Sequence, residues 1–425
     1  MPAAPDATSA PPNGVRRGVV TGYRCATCGR SVPIEEVYPW RCPAAAPGDA
    51  HHVLHPVVDG PDPEVIEDPS PFVAYGPSLA WWAFARAHGM TPERCIELTR
   101  QVAAGFHVTP CAPHPALSQQ LGADVWVKNE TGNVGGSHKA RHLVGILLHL
   151  RACEELGLVE GPRRPLAIAS CGNAAIAAST LARAASWPIQ VYVPETASPA
   201  VLRTLADLGA RVHPCGRTPG VPGDPAVFAF REAVAAGAIP FSVQGPENGL
   251  CLDGGRSIGW EVADVLGGDP TGTRVLVQVG GGAFAACMGW GLGSGVRLDT
   301  VQTEGGAPLA RAWELAAAVP VGELGSRWSE FMTPWDDPHS LADGILDDET
   351  YDWQADIAVM RASGGHPIVV AEEQVVAADE LVQSLGLPVS PTGTAGLAAL
   401  LPGGGPGTGV RPGERVVVVF SGVRR

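Results

Sequence analysis

Apolar and polar positions alternate between two periods along most of this chain, and the switches between them mark its elements. Val125-Trp126-Val127 is a short β-branched and aromatic run that leads into a Gly-rich loop, and residues 138–156 then place apolar side chains at helical spacing. Residues 166–170 read as a buried strand, 174–185 as a helix, 189–193 as a strand, and 199–208 as a helix closed by Gly209. The alternation resumes with a helix over 253–266, a strand over 274–279, a helix over 283–291 and a strand over 296–303. A helix over 372–385 follows, another begins at Pro391, and 415–420 is nearly all valine, the pattern of a central parallel strand. Strands separated by helices predict right-handed βαβ units, and hence an α/β fold with parallel sheets buried on both faces.

The flanking segments lack this alternation. Residues 1–14 are rich in Ala and Pro, without a basic start or an apolar stretch, and read as a loose tail and not a signal peptide. Residues 15–58 form a small module in which Cys25 and Cys28 are followed by Cys42 and by His52, a donor set of the kind that holds zinc in a ribbon-like site. The other reading is a loop-rich cap with incidental thiols. A Pro/Asp/Glu-rich connection over 61–71 leads into the body, where Trp81, Trp82 and Phe84 read as core. Residues 320–351 are acidic and aperiodic, an excursion placed near the site or at an interface.

Composition narrows the partners. A formal net charge of −14 argues against nucleic acid and anionic membrane surfaces, although a helix N-terminus or glycine loop still binds small anions locally. No apolar run reaches bilayer length. The 425 residues allow two or three domains, and ten scattered cysteines suit reduced thiols in the cytoplasm, with no disulfides expected.

Four distant segments carry candidate chemistry. Lys139 lies at a loop-to-helix junction behind Gly135 and Gly136, where the helix N-terminus favours an anion and depresses an ammonium pKa. Ser170, Cys171, Gly172, Asn173 and Ala174 sit where a strand gives way to a helix, so their amides suit a substrate carboxylate and Asn173 a ring oxygen. Cys171 reads as a small turn residue, since no histidine lies near it to activate a thiol. Gly280, Gly281, Gly282 and Ala283 follow another strand, open a helix and suit a monophosphate. Ser421 ends the last strand with a neutral hydroxyl. Together they describe a seat for pyridoxal phosphate, with Lys139 as the Schiff-base lysine and Ser421 facing the pyridine nitrogen. A hydroxyl there leaves that nitrogen largely unprotonated, which favours elimination or replacement over transamination.

With these motifs in hand, residues 72–422 resemble the fold-type II pyridoxal phosphate enzymes, the tryptophan synthase β-like superfamily that includes threonine synthase and serine/threonine dehydratase. The resemblance rests on 127–141 around Lys139, the Ser-x-Gly-Asn turn 170–173, the glycine loop 280–283 and Phe420-Ser421-Gly422. It implies a homodimer and a two-lobed body, with a large lobe over 59–139 and 245–425 and a smaller mobile lobe over 140–244. It further implies that Lys139 removes the α-proton of an amino-acid substrate. The Cys-x-x-Cys module and Pro391-Thr-Gly-Thr-Ala-Gly resemble threonine-synthase-like proteins, whereas Ala140-Arg141 stands where threonine synthases carry Asp-Arg. The expectation is β-elimination of the serine/threonine dehydratase or ammonia-lyase type. Threonine synthase-like replacement and a catalytically silent binding protein are the alternatives.

Overall fold

The computed structural model describes residues 17–46, 49, 51–217, 223–267, 270–293, 295–403, 406–411 and 413–425. The tail expected over 1–14 lies outside the described residues. In chain order the strands are β1 (Val19–Cys25), β2 (Ser31–Pro33), β3 (Leu54–Asp59), β4 (Cys111–Pro113), β5 (Asp124–Asn129), β6 (Leu166–Ala169) and β7 (Ile189–Pro194). They continue with β8 (Arg211–Cys215), β9 (Ile239–Pro240), β10 (Thr273–Gln278), β11 (Arg297–Thr303), β12 (Pro367–Val370) and β13 (Arg415–Phe420).

The valine run of β13 lies at the middle of a six-stranded sheet of order β12-β11-β10-β13-β5-β4. It pairs in parallel with β10 on one side and β5 on the other, so both of its faces need cover. Val417 and Val419 join one hydrophobic core, while Val416, Val418 and Phe420 join another, the two-residue alternation of a strand between two layers. Only β4 runs antiparallel, at the edge, where Pro113 needs no ladder donor. A second sheet of order β8-β7-β6-β9 is wholly parallel. β1, β2 and β3 form a separate antiparallel sheet of order β2-β1-β3.

The parallel arrangement brings the carboxyl ends of β5, β10 and β13 to one edge, where open α/β sheets bind ligands. The amide of Glu130, just past β5, donates to Phe420 O at 2.8 Å, so the loops leaving these strands are tied together.

The helix Lys139–Glu155 is buried on nearly all sides, from Ala140 to Leu150 without interruption. It packs against the helices Ala80–Ala87, Asn173–Ala184 and Cys251–Gly254, which explains why no polar face interrupts it. The helix expected over 253–266 is observed as two, Cys251–Gly254 and Arg256–Leu266. They meet at Gly255, whose φ of −65° and ψ of −20° are helical, and Gly254 is required by close approach, since a Cβ there would lie 2.1 Å from Arg141 O. Residues 320–351 fold as short turns around one four-residue helix, Trp328–Phe331, held down by buried Trp328, Phe331 and Met332. No helix among the described residues is long and apolar enough to cross a membrane.

Candidate active site

Lys139 opens its helix directly after the turn Gly135-Gly136-Ser137-His138. The end of the chain holds that turn in place: Val423 N donates to Gly136 O at 2.9 Å, and His138 N donates to Ser421 Oγ at 3.0 Å. The His138 ring places Nδ1 2.5 Å from the same hydroxyl and stacks on Phe284, with centroids 4.0 Å apart. Phe284 lies in the first turn of Ala283–Leu292, the helix behind the triglycine loop. Lys139, Ser421 and the glycine loop therefore meet through His138.

The turn 170–174 joins them from the second sheet. Ser170 Oγ accepts from Gly172 N at 3.3 Å, and the helix Asn173–Ala184 starts without a side-chain cap, leaving its first amides open. Asn173 Oδ1 accepts from Arg425 Nη1 at 2.7 Å, while Arg425 Nη2 donates to Gly135 O, also at 2.7 Å. Arg425 thus bridges this turn and the lysine loop. Cys171 is exposed as a residue, but partial enclosure of its thiol, and then Asp343, raises its pKa, which tells against a resting thiolate.

The glycines of the third segment are required by contact. A Cβ on Gly280 would lie 2.4 Å from Asp347 Oδ2, and one on Gly282, whose φ is 97°, would lie 2.5 Å from Asp356 Oδ2. Among the described residues, no backbone carbonyl accepts from the amides of Gly280, Gly282 or Ala283. Such amides at a helix N-terminus fit a phosphate. The segment expected as an excursion near the site is the wall of this loop: Asp347, Thr350, Tyr351 and Asp352 all face its glycines, and Asp352 N donates to Gly281 O at 2.9 Å.

Electrostatics at this wall are unusual. Burial first of all raises Asp347 to about 6 and Asp352 to about 7. Asp356 is pushed well above the ordinary carboxylate range, by burial and then by Asp352. Burial also lowers the Lys139 pKa, against the opposing pull of Asp347, Cys251 and Asp352. His138 is held neutral by burial and by the neighbouring Lys139. An amine with a depressed pKa beside carboxyls with raised ones suits proton transfer near neutrality. A phosphate on the glycine amides would raise those carboxyl pKa values further, and the open amides of Gly280, Gly282 and Ala283 fit the cofactor that the motifs imply.

Two features were not found by motif. The sequence contains just two lysines, Lys128 and Lys139. Lys128 is fully buried; it pairs with Glu261 and donates to Thr109 O at 2.8 Å, so it is not free for chemistry. The second is the charge network that holds Lys128. Arg141 Nε meets Glu130 Oε2 at 2.9 Å and Arg141 Nη1 meets Glu261 Oε1 at 2.5 Å, all with side chains that expose nothing to solvent. Two cations and two carboxylates balance, and they lock the lysine helix to β5 and to the helix Arg256–Leu266. Scarcity of lysine was a readable signal; the network, made of four residues from three separate segments, had none.

Behind Ser421, Gln278 Nε2 donates to Val419 O at 3.1 Å and to Gly393 O at 3.3 Å, which seats the Pro391–Ala398 helix of the Pro-Thr-Gly-Thr motif. Two cavities, of about 330 and 370 Å³, lie elsewhere, beside Arg274 and beside Trp187; converging side chains, not hollowness, mark the site. The donor atoms of Cys25, Cys28, Cys42 and His52 also converge, within 4.8 Å of one another, in the N-terminal module.

Comparison with known proteins gives the same family for the body of the chain. The family model described as pyridoxal-phosphate dependent enzyme matches residues 102–422. A mouse protein named serine dehydratase-like is 33% identical over 52% of this chain and 64% of its own length, so the match spans just under two thirds of that relative. Threonine synthase from Synechocystis is 27% identical over 69% of this chain and 71% of its own. Among solved structures, a threonine deaminase from T.th. aligns with a TM-score of 0.60 at 23% identity, over 78% of this chain and 97% of that one. Maize serine racemase aligns with a TM-score of 0.59 at 15% identity, over 78% and 92%, a likeness of fold.

Proposed function

The chain belongs to the pyridoxal-phosphate dependent enzymes, and from that premise we propose that it is a lyase that removes the α-proton and the β-substituent of a hydroxy amino acid. One observation supports the reading: of two lysines, Lys128 is locked in a buried ion network, while Lys139 follows His138, whose amide meets Ser421 and whose ring stacks on Phe284 behind the glycine loop.

Bound pyridoxal phosphate supplies an electron sink that acidifies the α-proton of an amino acid. Gly280, Gly281, Gly282 and Ala283 would hold its phosphate, Ser421 its ring nitrogen and Asn173 its ring oxygen. The amides of Ser170, Cys171, Gly172, Asn173 and Ala174 would bind the substrate carboxylate. Lys139 Nζ would anchor the cofactor and then take the α-proton, a role that its lowered pKa favours. Asp347, with a pKa of about 6, faces Lys139 and carries a proton part of the time for a leaving hydroxyl. A hydroxyl at 421, in place of a carboxylate, favours elimination over transamination.

Replacement of the threonine synthase kind is the second reading, because the Synechocystis match covers more of this chain than the mouse one, 69% against 52%. Incubation with L-serine, L-threonine and phosphohomoserine, with keto acid, ammonia and phosphate assayed, separates the two. Keto acid and ammonia from a hydroxy amino acid support elimination, and phosphate release with threonine formation overturns it. A chain that turns over none of these and retains no cofactor is a silent binding protein. The homodimer implied by the family resemblance belongs to the same proposal and is read by sedimentation.

A further inference from the structure

We propose that Cys25, Cys28, Cys42 and His52 bind one zinc ion, and that this ion braces the wall of the candidate active site from outside it. Cys25 Sγ lies 3.4 Å from His52 Nδ1, and Cys28 Sγ lies 3.6 Å from Cys42 Sγ. A tetrahedral zinc with Zn–S of about 2.3 Å and Zn–N of about 2.0–2.1 Å spaces its donors by about 3.6–3.8 Å, close to both edges. The sulfur pair is too far apart for a disulfide, whose bond is about 2.05 Å.

The surroundings are those of a ligand set and not of four incidental residues. His52 turns Nδ1 toward the thiols, while its Nε2 lies 3.3 Å from Asp49 Oδ2, the carboxylate partner that fixes the tautomer of a metal-bound imidazole. β1 ends at Cys25 in a tight turn, with Gly29 N donating to Cys25 O at 2.9 Å and Gly29 at φ 72°. A second turn follows Cys42, where Ala44 N points at Cys42 Sγ from 3.4 Å. Three thiolates and an imidazole suit zinc, and binding releases three thiol protons to solvent.

Stability gives the module a use for the ion. Its strands have 7, 3 and 6 residues, too few for a substantial core of their own, and the four ligands come from the end of β1, the β1–β2 turn and the β2–β3 connection. The same connections touch the catalytic body. A Cβ on Gly325 would lie 2.6 Å from Thr27 Cα, and Trp40 O accepts from Gly249 N at 2.9 Å, two residues before Cys251. His51, adjacent to the ligand His52, stacks on Trp328 with centroids 4.8 Å apart at 9°. Trp328 in turn meets Trp353 edge-on at 5.6 Å, and Trp353 follows Asp352 of the glycine-loop wall. From ligand to wall there is a continuous path of packed rings.

The test uses the full-length holoenzyme. After gel filtration, mass-spectrometric metal analysis is expected to find one zinc per chain, and Cys28→Ser and His52→Ala to lose it. Replacement by Co²⁺ is expected to give the intense visible bands of tetrahedral cobalt thiolate. Stripping zinc with a chelator should speed amide hydrogen exchange in 19–54 and 325–353, and leave 166–194 unchanged. Wild-type protein with less than a tenth of an equivalent of any metal, or weak octahedral cobalt bands, overturns the site, whatever the folding of the variants. Unchanged exchange in 325–353 on metal removal overturns the brace.

Discussion

His138 and Ser421 are joined twice, by the His138 amide at 3.0 Å from the serine hydroxyl and by its Nδ1 at 2.5 Å. His138 Nε2 is buried without a partner, and a bare lone pair there costs less than an orphaned N–H. The proton therefore belongs on Nδ1, where it donates to Ser421 Oγ. With both lone pairs of the oxygen occupied, the hydroxyl proton is left free to donate, as the role proposed for Ser421 toward the cofactor's ring nitrogen requires.

Ser421→Ala is expected to lower kcat/KM by about tenfold, the worth of one such hydrogen bond. Ser421→Asp should shift the products from elimination toward racemised or transaminated amino acid, since a carboxylate protonates the ring nitrogen. Product analysis by chiral chromatography checks both, and unchanged rates and products in the two variants would refute the assignment.

Arg425 spans Asn173 Oδ1 and Gly135 O, so its guanidinium lines the approach to the 170–174 turn. Arg425→Ala should raise KM for the amino acid by about tenfold with kcat little changed, the pattern of lost charge-assisted binding. Arg425→Lys should recover only part, because a point charge replaces a planar fork. Steady-state kinetics decide, and an unchanged KM removes Arg425 from the substrate's path.

The Arg141 network is a structural claim. Arg141→Met leaves Glu130 and Glu261 buried with one cation between them, and should cost about 3–5 kcal/mol. Urea unfolding monitored by tryptophan fluorescence measures it. A loss below about 1 kcal/mol would mean that water already screens the pair.

Asp352 makes stability depend on pH. Its folded pKa of about 7 lies above the ordinary 3.8, so the folded chain holds this proton more tightly than the unfolded one. The contribution is present in full below the unfolded pKa and is lost as pH rises through the folded pKa, a decline over about pH 4 to 7. Asp352→Asn keeps an acceptor for Gly245 N, now 3.1 Å from Oδ2, and removes the titration. The variant should match wild type near pH 4 and exceed it at pH 8 by on the order of 2 kcal/mol. Parallel pH profiles for the two proteins would contradict the raised carboxyl.

Much of this was legible where the pattern is local. The valines of 415–420 announced a central strand because both neighbours bury them, and the glycine loop and the lysine turn announced themselves by composition. Asp347, Asp352 and Asp356 did not, since an aperiodic acidic stretch gives no sign of which carboxylates turn inward. Arg141 was legible only as the end of the lysine motif, although its partners lie 11 and 120 residues away. Arg425 was likewise invisible, because its partners are 252 and 290 residues back along the chain.

The central claim is that Lys139 alone, of the two lysines, carries the cofactor. Borohydride reduction of the holoenzyme, followed by digestion and mass mapping, tests it directly. The account predicts one pyridoxyl-phosphate adduct on the peptide containing Lys139 and none in Lys139→Ala; an adduct on Lys128, or none in the wild type, would contradict it.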